Sequence, residues 1–233
     1  MCQFCDLVLI RHEEAEGNRA MVLSKYHGDH SLFTPEFRSK PSANWSLTEQ
    51  GFARCLALGV WLKTRLDLNN FRKVVSPSLR ARETADLILP EVQWQVESLV
   101  DGRCWGGIET VPYSEWLGYC INHGLGGLPV GFRESFPNGE PMSEVYDRAT
   151  LFCGNSRSNM IVVTHGEFIQ MSRMVIEGLP ESAYPELDLH GNHIRNGQVV
   201  WYSRRDPITR RCYTSFRFKK MFYDGFETEW LDL

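Results

Sequence analysis

An apolar run, Leu7-Val8-Leu9-Ile10, stops abruptly at Arg11-His12 and gives way to the polar stretch Glu13-Glu14-Ala15-Glu16-Gly17-Asn18. A second run, Met160-Ile161-Val162-Val163, ends in the same manner at Thr164-His165-Gly166-Glu167. Short continuous apolar runs bounded by polar residues read as strands buried on both faces. Each of these delivers a histidine to its own end, and in open α/β sheets the carboxyl ends of strands are where ligands sit. Val74-Val75 reads as a third short strand that feeds a helix, with Ser76 as its N-cap and Pro77 at the first helical position. Arg80 then falls in the first turn, where a cation opposes the helix macrodipole at a cost of roughly 0.3–1 kcal/mol. Its presence there points to a bound anion or a nearby carboxylate. Arg82, two positions on, faces elsewhere and reads as solvated.

Helical spacing follows the other signals. Ser46-Leu47-Thr48-Glu49 fits a capping box, and Phe52, Cys55, Leu56, Gly59, Leu62 and Leu66 recur at the period of a helix that packs on the sheet. Further helices are expected over 142–153 and after His165, and 198–202 with 212–218 reads as a late hairpin around 204–211. This alternation predicts an α/β fold, a three-layer sandwich whose mostly parallel central sheet is flanked by helices. The whole chain, 1–233, reads as a single domain, a size at which α/β units need not divide. Residues 102–141 are rich in Gly and Pro, which interrupts regular structure and predicts a small cap insertion. Trp105, Tyr113, Trp116 and Tyr119 of that segment form either its own small core, the commoner role, or the wall of a pocket.

Composition narrows the class. Hydrophobic residues make up 42% and charged residues 23%, as in ordinary globular proteins. A net charge of −4 argues against a nucleic-acid partner, and no apolar stretch reaches the ~18 residues of a membrane span. The first residues lack the basic and long apolar parts of a secretion signal, so a cytoplasmic location is expected. Seven cysteines, at 2, 5, 55, 104, 120, 153 and 212, show no repeating spacing and read as reduced thiols. Cys2-x-x-Cys5 lacks a second pair to complete a zinc knuckle. His27-Gly28-Asp29-His30 and His190-Gly191-Asn192-His193 read as histidines in Gly-containing loops ahead of a zinc site. No metal and no cofactor is expected.

The motifs together resemble the histidine phosphatase superfamily, the phosphoglycerate mutase-like group, over about residues 6–202. Arg11-His12 matches its opening Arg-His-Gly signature, Asn18 the Asn that follows, and Leu47-Thr48-Glu49-Gln50-Gly51 its Leu-Thr-x-x-Gly helix start. Residues 76–85 match Ser-Pro-x-x-Arg-Ala-x-x-Thr-Ala at every specified position, and His165-Gly166 matches the second His-Gly. Asn138-Gly139-Glu140 resembles a Gly-Glu element ahead of a helix.

This resemblance implies a phosphomonoester hydrolase working through a phosphohistidine. His12 is the expected nucleophile. Arg11, Arg80 and His165, the last if protonated, are expected to hold the phosphoryl oxygens, with Asn18 as a further donor. Glu14, Gly166 and Glu167 complete the expected substrate contacts, and the substrate is a small phosphorylated metabolite or a phosphoprotein. The leaving alcohol needs a proton. Leu99-Val100-Asp101 resembles the Leu-x-Glu element that carries the mutase acid, making Asp101 the first candidate. Glu167, two residues after His165, resembles the acid of some acid phosphatases and is the second.

Two departures matter. Glu13 stands where the signature has Gly, and Ala15 replaces the usual hydroxyl residue. A carboxylate beside a phosphate pocket repels the substrate unless it turns away or pairs with a cation. A phospholigand-binding regulatory protein is therefore one alternative. A phosphoglycerate-type mutase is another, although Asp101-Gly102-Arg103-Cys104-Trp105 is a poor match to the Glu-Arg-His-Tyr-Gly stretch of that branch.

Overall fold

The computed structural model describes residues 6–122, 131–188 and 193–233. Among these residues eight strands run β1 Asp6–Arg11, β2 Arg72–Val75, β3 Gln95–Val96, β4 Met160–Thr164, β5 Val199–Ser203, β6 Phe218–Tyr223, β7 Phe226–Glu227 and β8 Leu231–Asp232. They form one sheet in the order β3-β2-β4-β1-β5-β6-β7, with β8 also on β6. From β3 to β1 the pairing is parallel; β5 and the strands beyond it are antiparallel. The helices are α1 Glu16–His27, α2 Pro35–Ser39, α3 Glu49–Arg65, α4 Leu79–Ile88, α5 Tyr113–Asn122, α6 Met142–Asn155, α7 Gly166–Glu177 and α8 Tyr184–Asp188.

Strand side chains alternate between faces, so the two central strands feed two cores at once. Leu7, Leu9, Met160 and Val162 pack with Val145 and Ala149 of α6 and Phe168 and Met171 of α7. Val8, Ile10, Ile161 and Val163 pack on the opposite side with Cys55, Leu58 and Leu62 of α3 and Ala81, Ala85 and Ile88 of α4. The result is the expected three-layer α/β arrangement. Parallel register sets Arg11 beside Thr164, so His12 and His165 emerge side by side from the same end of the sheet. The segment between β3 and α6 packs a third, smaller cluster of Ile108, Cys120 and Phe136, against which Trp105, Trp116 and Tyr119 rest.

Local details correct the sequence reading in four places. Thr48, not Ser46, caps α3, its hydroxyl accepting from Gly51 N–H at 3.1 Å. Phe52 and Leu56 of α3 are exposed rather than buried, because Leu58 and Trp61 take the inward positions. Helix α4 begins at Leu79 after Ser78, two residues later than expected; Ser76 Oγ still accepts from Ser78 N–H at 3.2 Å, while both hydroxyls donate to Asp101. The continuous hairpin partner of β5 starts at Phe218 rather than at 212, although Cys212 forms an isolated antiparallel bridge with Arg205. Part of the intervening chain is held in a turn in which Asp206 Oδ1 accepts from Ile208 and Thr209 N–H.

Candidate active site

His12 leaves the end of β1 with its backbone N–H on Thr164 O at 2.8 Å and its side chain 3% exposed. Its Nδ1 lies 2.8 Å from Glu13 O. A carbonyl only accepts, so Nδ1 carries the proton and Nε2 carries the lone pair. Arg80 donates to that lone pair from Nε at 3.1 Å. Burial, then chiefly the charge of Arg80, hold His12 well below the ordinary histidine pKa, so the ring is neutral.

His165, the N-cap of α7, faces His12 edge-on with ring centroids 5.0 Å apart. Its Nδ1 meets Arg80 Nη2 at 3.1 Å, and its Nε2 lies 2.8 Å from Ser76 Oγ and 3.2 Å from Asp101 Oδ1. Burial and Arg80 lower it to about 4, Asp101 opposing. The condition placed on His165 as an oxygen contact, that it be protonated, is not met in the free site: both imidazoles are neutral, and Arg80 bridges them. Arg80 Nη1 donates to Ser42 O at 2.7 Å, and Trp45 lies beneath the guanidinium at 5.9 Å. Gly102 backs the His165 ring so closely that a Cβ there would stand 3.0 Å from Cγ.

Arg11 points its Nη1 at Ile194 O and leaves its buried Nε without a partner, a donor available to an anion. Asn18 lines the same cavity. Its Oδ1 accepts from Ala15 N–H at 3.0 Å and from Asn196 Nδ2 at 3.2 Å, which leaves its own amide N–H groups to offer. Glu167, in the first turn of α7, is also on the wall. The cavity encloses about 320 Å³ and continues past Met21, Lys25, Trp105, Ile108, Glu109, Tyr113 and Trp116. Two of the aromatics thus serve both readings, since Trp105 and Trp116 rest on the small core and also face the pocket.

Three expected contacts are placed elsewhere. Glu14 is off the wall: its Oε1 accepts from Thr48 Oγ1 at 2.8 Å and its carbonyl from Thr48 N–H at 2.9 Å, pinning the β1–α1 loop to the start of α3. Gly166 stands behind the Arg11 side chain rather than on the wall. Asp101 is also withdrawn, its Oδ1 accepting from Ser76 Oγ at 2.7 Å, Ser78 Oγ at 2.8 Å and Gly102 N–H at 2.9 Å. Burial favours its neutral form, but the His165, Ser76 and Ser78 contacts outweigh that and hold it well below the usual carboxylate range. A carboxylate held ionised is a poor proton donor.

Glu13 turns away from the cavity that His12 lines. Its carboxyl enters a second cavity of about 70 Å³ with Arg54, Asn196, Gly197, Tyr223 and Asp224, where burial raises its pKa and Arg54 opposes the rise. Gly197, at φ +71°, makes room for it: a Cβ there would collide with Glu13 Oε1. Asn196 and Gly197 also donate to His12 O, at 3.1 and 3.3 Å.

Sequence reasoning missed Trp45, Ser42, Lys25 and Glu109, whose only signal was nearness to motifs already noted. It read Ser76 as a helix cap, and here it is a link between His165 and Asp101. Among the described residues, no group of three or more His, Cys, Asp or Glu side chains is placed to hold a metal ion, and no helix is long and apolar enough to cross a membrane. His30 Nδ1 pairs with Ser24 Oγ at 2.9 Å; His190, Gly191 and Asn192, like Cys2 and Cys5, lie outside the described residues.

The fold is similar to several solved structures. One is titled Mycobacterial hydrolase 1, at 16% identity and TM-score 0.68 over 96% of this chain and 100% of that one. A mycobacterial glucosyl-3-phosphoglycerate phosphatase complexed with VO3 matches at 17% identity and TM-score 0.66, over 85% of this chain and 92% of its own. A mutant phosphoserine phosphatase from Entamoeba histolytica in complex with phosphoserine matches at 18% and 0.62, over 91% and 95%. No curated protein sequence matches the chain. The family model of the histidine phosphatase superfamily (branch 1) matches residues 7–206, and with its paired strand-end histidines bridged by one arginine the chain belongs to that superfamily.

Proposed function

We propose that the protein is a metal-independent phosphomonoester hydrolase that works through a phosphohistidine on His12. The observation that carries this reading is the state of His12: neutral, its tautomer fixed by Glu13 O, its Nε2 lone pair held beside Arg80 and His165. A phosphate entering the cavity takes the N–H groups of Arg80 and Arg11 onto its oxygens and releases that lone pair. Nε2 then attacks phosphorus, the P–N bond forms, and the bond to the alcohol oxygen breaks. A proton from the acid reaches the departing oxygen; in the second step water attacks phosphorus, its proton returns to that same group, and the P–N bond breaks to free His12 and release phosphate. Arg11, Arg80 and Asn18 hold the equatorial oxygens, where fixed donors are worth most.

Glu167 is the proton donor in this reading, because it is on the cavity wall and Asp101 is not. Asp101 is a positioning residue: with Ser76 it fixes His165 so that Nδ1 faces Arg80. The withdrawal of Glu13 into the second cavity supports turnover over a regulatory protein without it.

The substrate is a small phosphorylated metabolite, as are those in the titles of two similar structures, phosphoserine and glucosyl-3-phosphoglycerate. A cavity of about 320 Å³ suits one. Its leaving group meets Trp105, Tyr113 and Trp116 with Lys25 at the side. Phosphate release across a metabolite panel tests the reading, with 3-phosphoglycerate plus catalytic 2,3-bisphosphoglycerate as one arm. Turnover of at least one ester with stoichiometric phosphate is expected; isomerisation without phosphate release would assign a mutase instead.

A further inference from the structure

Helix α3 carries an apolar stripe on its outer face that is left exposed among the described residues. Phe52 is 52% exposed, Leu56 56% and Val60 64%, with Ala53 and Ala57 exposed between them. Arg54, between Phe52 and Leu56 in sequence, is drawn sideways to Tyr223 OH at 3.2 Å and Asp224 at 3.4 Å. A contiguous apolar helix face on an otherwise polar surface marks an interaction site.

The ends of the stripe say what covers it. Glu49 sits in the first turn and Lys63 in the last, both exposed, and among the described residues neither enters an ion pair. At 3.6 residues per turn, Glu49, Leu56, Val60 and Lys63 fall within about 60° of one another around the helix. Leu56 is midway between the two charges. An antiparallel copy of the same helix, related by a two-fold axis at Leu56, sets Glu49 against Lys63 of the partner subunit and Phe52 against Val60 of the partner subunit. The stripe is therefore complementary to itself in shape class and in charge, and the opposed macrodipoles agree with that orientation.

We propose that the chain forms a two-fold homodimer through α3, packed antiparallel about Leu56. Removal of apolar surface from water drives the association. The two Glu49–Lys63 pairs fix its direction and register, as surface ion pairs do more readily than they add affinity.

Sedimentation of the full chain over a series from about 1 µM to about 1 mM reads the equilibrium. A reversible monomer–dimer transition is expected, with Leu56→Glu and, independently, Val60→Lys monomeric throughout. Each folds as the wild type by circular dichroism, because both positions face solvent. Glu49→Lys and Lys63→Glu each raise the dimer Kd by about tenfold, since each spoils two pairs, and the double reversal restores it. A wild type that stays monomeric overturns the proposal. So does a dimer indifferent to Leu56→Glu, or one in which the double reversal is no tighter than the singles.

Discussion

Arg80 donates from Nε to Nε2 of His12 at 3.1 Å, so the nitrogen proposed to attack phosphorus is the one the guanidinium already holds. The same side chain reaches His165 Nδ1 and Ser42 O. Arg80→Ala is expected to lower kcat/KM by about 10²–10³-fold, the scale of losing one fixed donor to developing charge. Arg80→Lys recovers only part of this, because an ammonium cannot meet two imidazoles and a phosphate with the geometry of a planar fork. Steady-state kinetics on both variants checks it.

Acid titration separates activity from stability. His12 titrates well below the ordinary histidine value, so kcat/KM stays level as pH falls through 6.5, where an exposed histidine nucleophile loses activity. Stability behaves differently. His165 has a folded pKa of about 4 against 6.5 unfolded, so below 6.5 the unfolded chain binds the extra proton. Its contribution is present above pH 6.5 and lost as pH falls toward 4, on the order of 3 kcal/mol. Denaturant melts at pH 7 and pH 4.5 are expected to converge in His165→Asn relative to wild type.

The division of labour between the two carboxylates is read from leaving-group dependence. Glu167→Gln is expected to slow esters of poorly acidic alcohols by about 10²-fold or more while sparing an activated aryl phosphate, which needs no proton. Asp101→Asn slows both alike, because it loosens His165. If Asp101→Asn gives the selective loss, the proton donor is Asp101 after all.

Gly197 and Glu13 form a matched pair. Gly197→Ala meets both a φ of +71° and the Glu13 carboxyl, and is expected to cost about 1–3 kcal/mol in denaturant melts. Glu13→Ala relieves the collision but not the backbone strain, so the double variant recovers part of the loss. Phosphate affinity of Glu13→Ala stays within about twofold of wild type, since the carboxyl faces the second cavity.

The backbone of this site was legible because its signals are local. An apolar run ending in Arg11-His12, a second ending in His165, and Arg80 in a first turn each needed only neighbours in sequence. The contacts that hold Asp101 were not legible because its partners Ser76 and Ser78 come from another loop, and a hydroxyl that caps a helix looks the same in sequence as one that braces a carboxylate. Glu14 was misplaced for the same reason, its partner Thr48 being 34 residues away. Phe52 and Leu56 defeated periodicity because α3 is apolar on both faces, and spacing cannot say which one meets the sheet. The start of β6 was missed because Phe216 and Phe218 alternate about Arg217 as a strand already under way would, and the Asp206 turn that helps set the loop is a side-chain effect.

Chemical trapping of the intermediate tests the central claim most directly. Wild-type protein mixed with a turned-over phosphomonoester and quenched within the first turnover should carry acid-labile, base-stable phosphate, located by peptide mass spectrometry at His12. The folded His12→Ala variant should carry none and release no phosphate, while still binding inorganic phosphate through Arg11 and Arg80. Undiminished hydrolysis by His12→Ala, or covalent phosphate on any other residue of the wild type, would contradict the account.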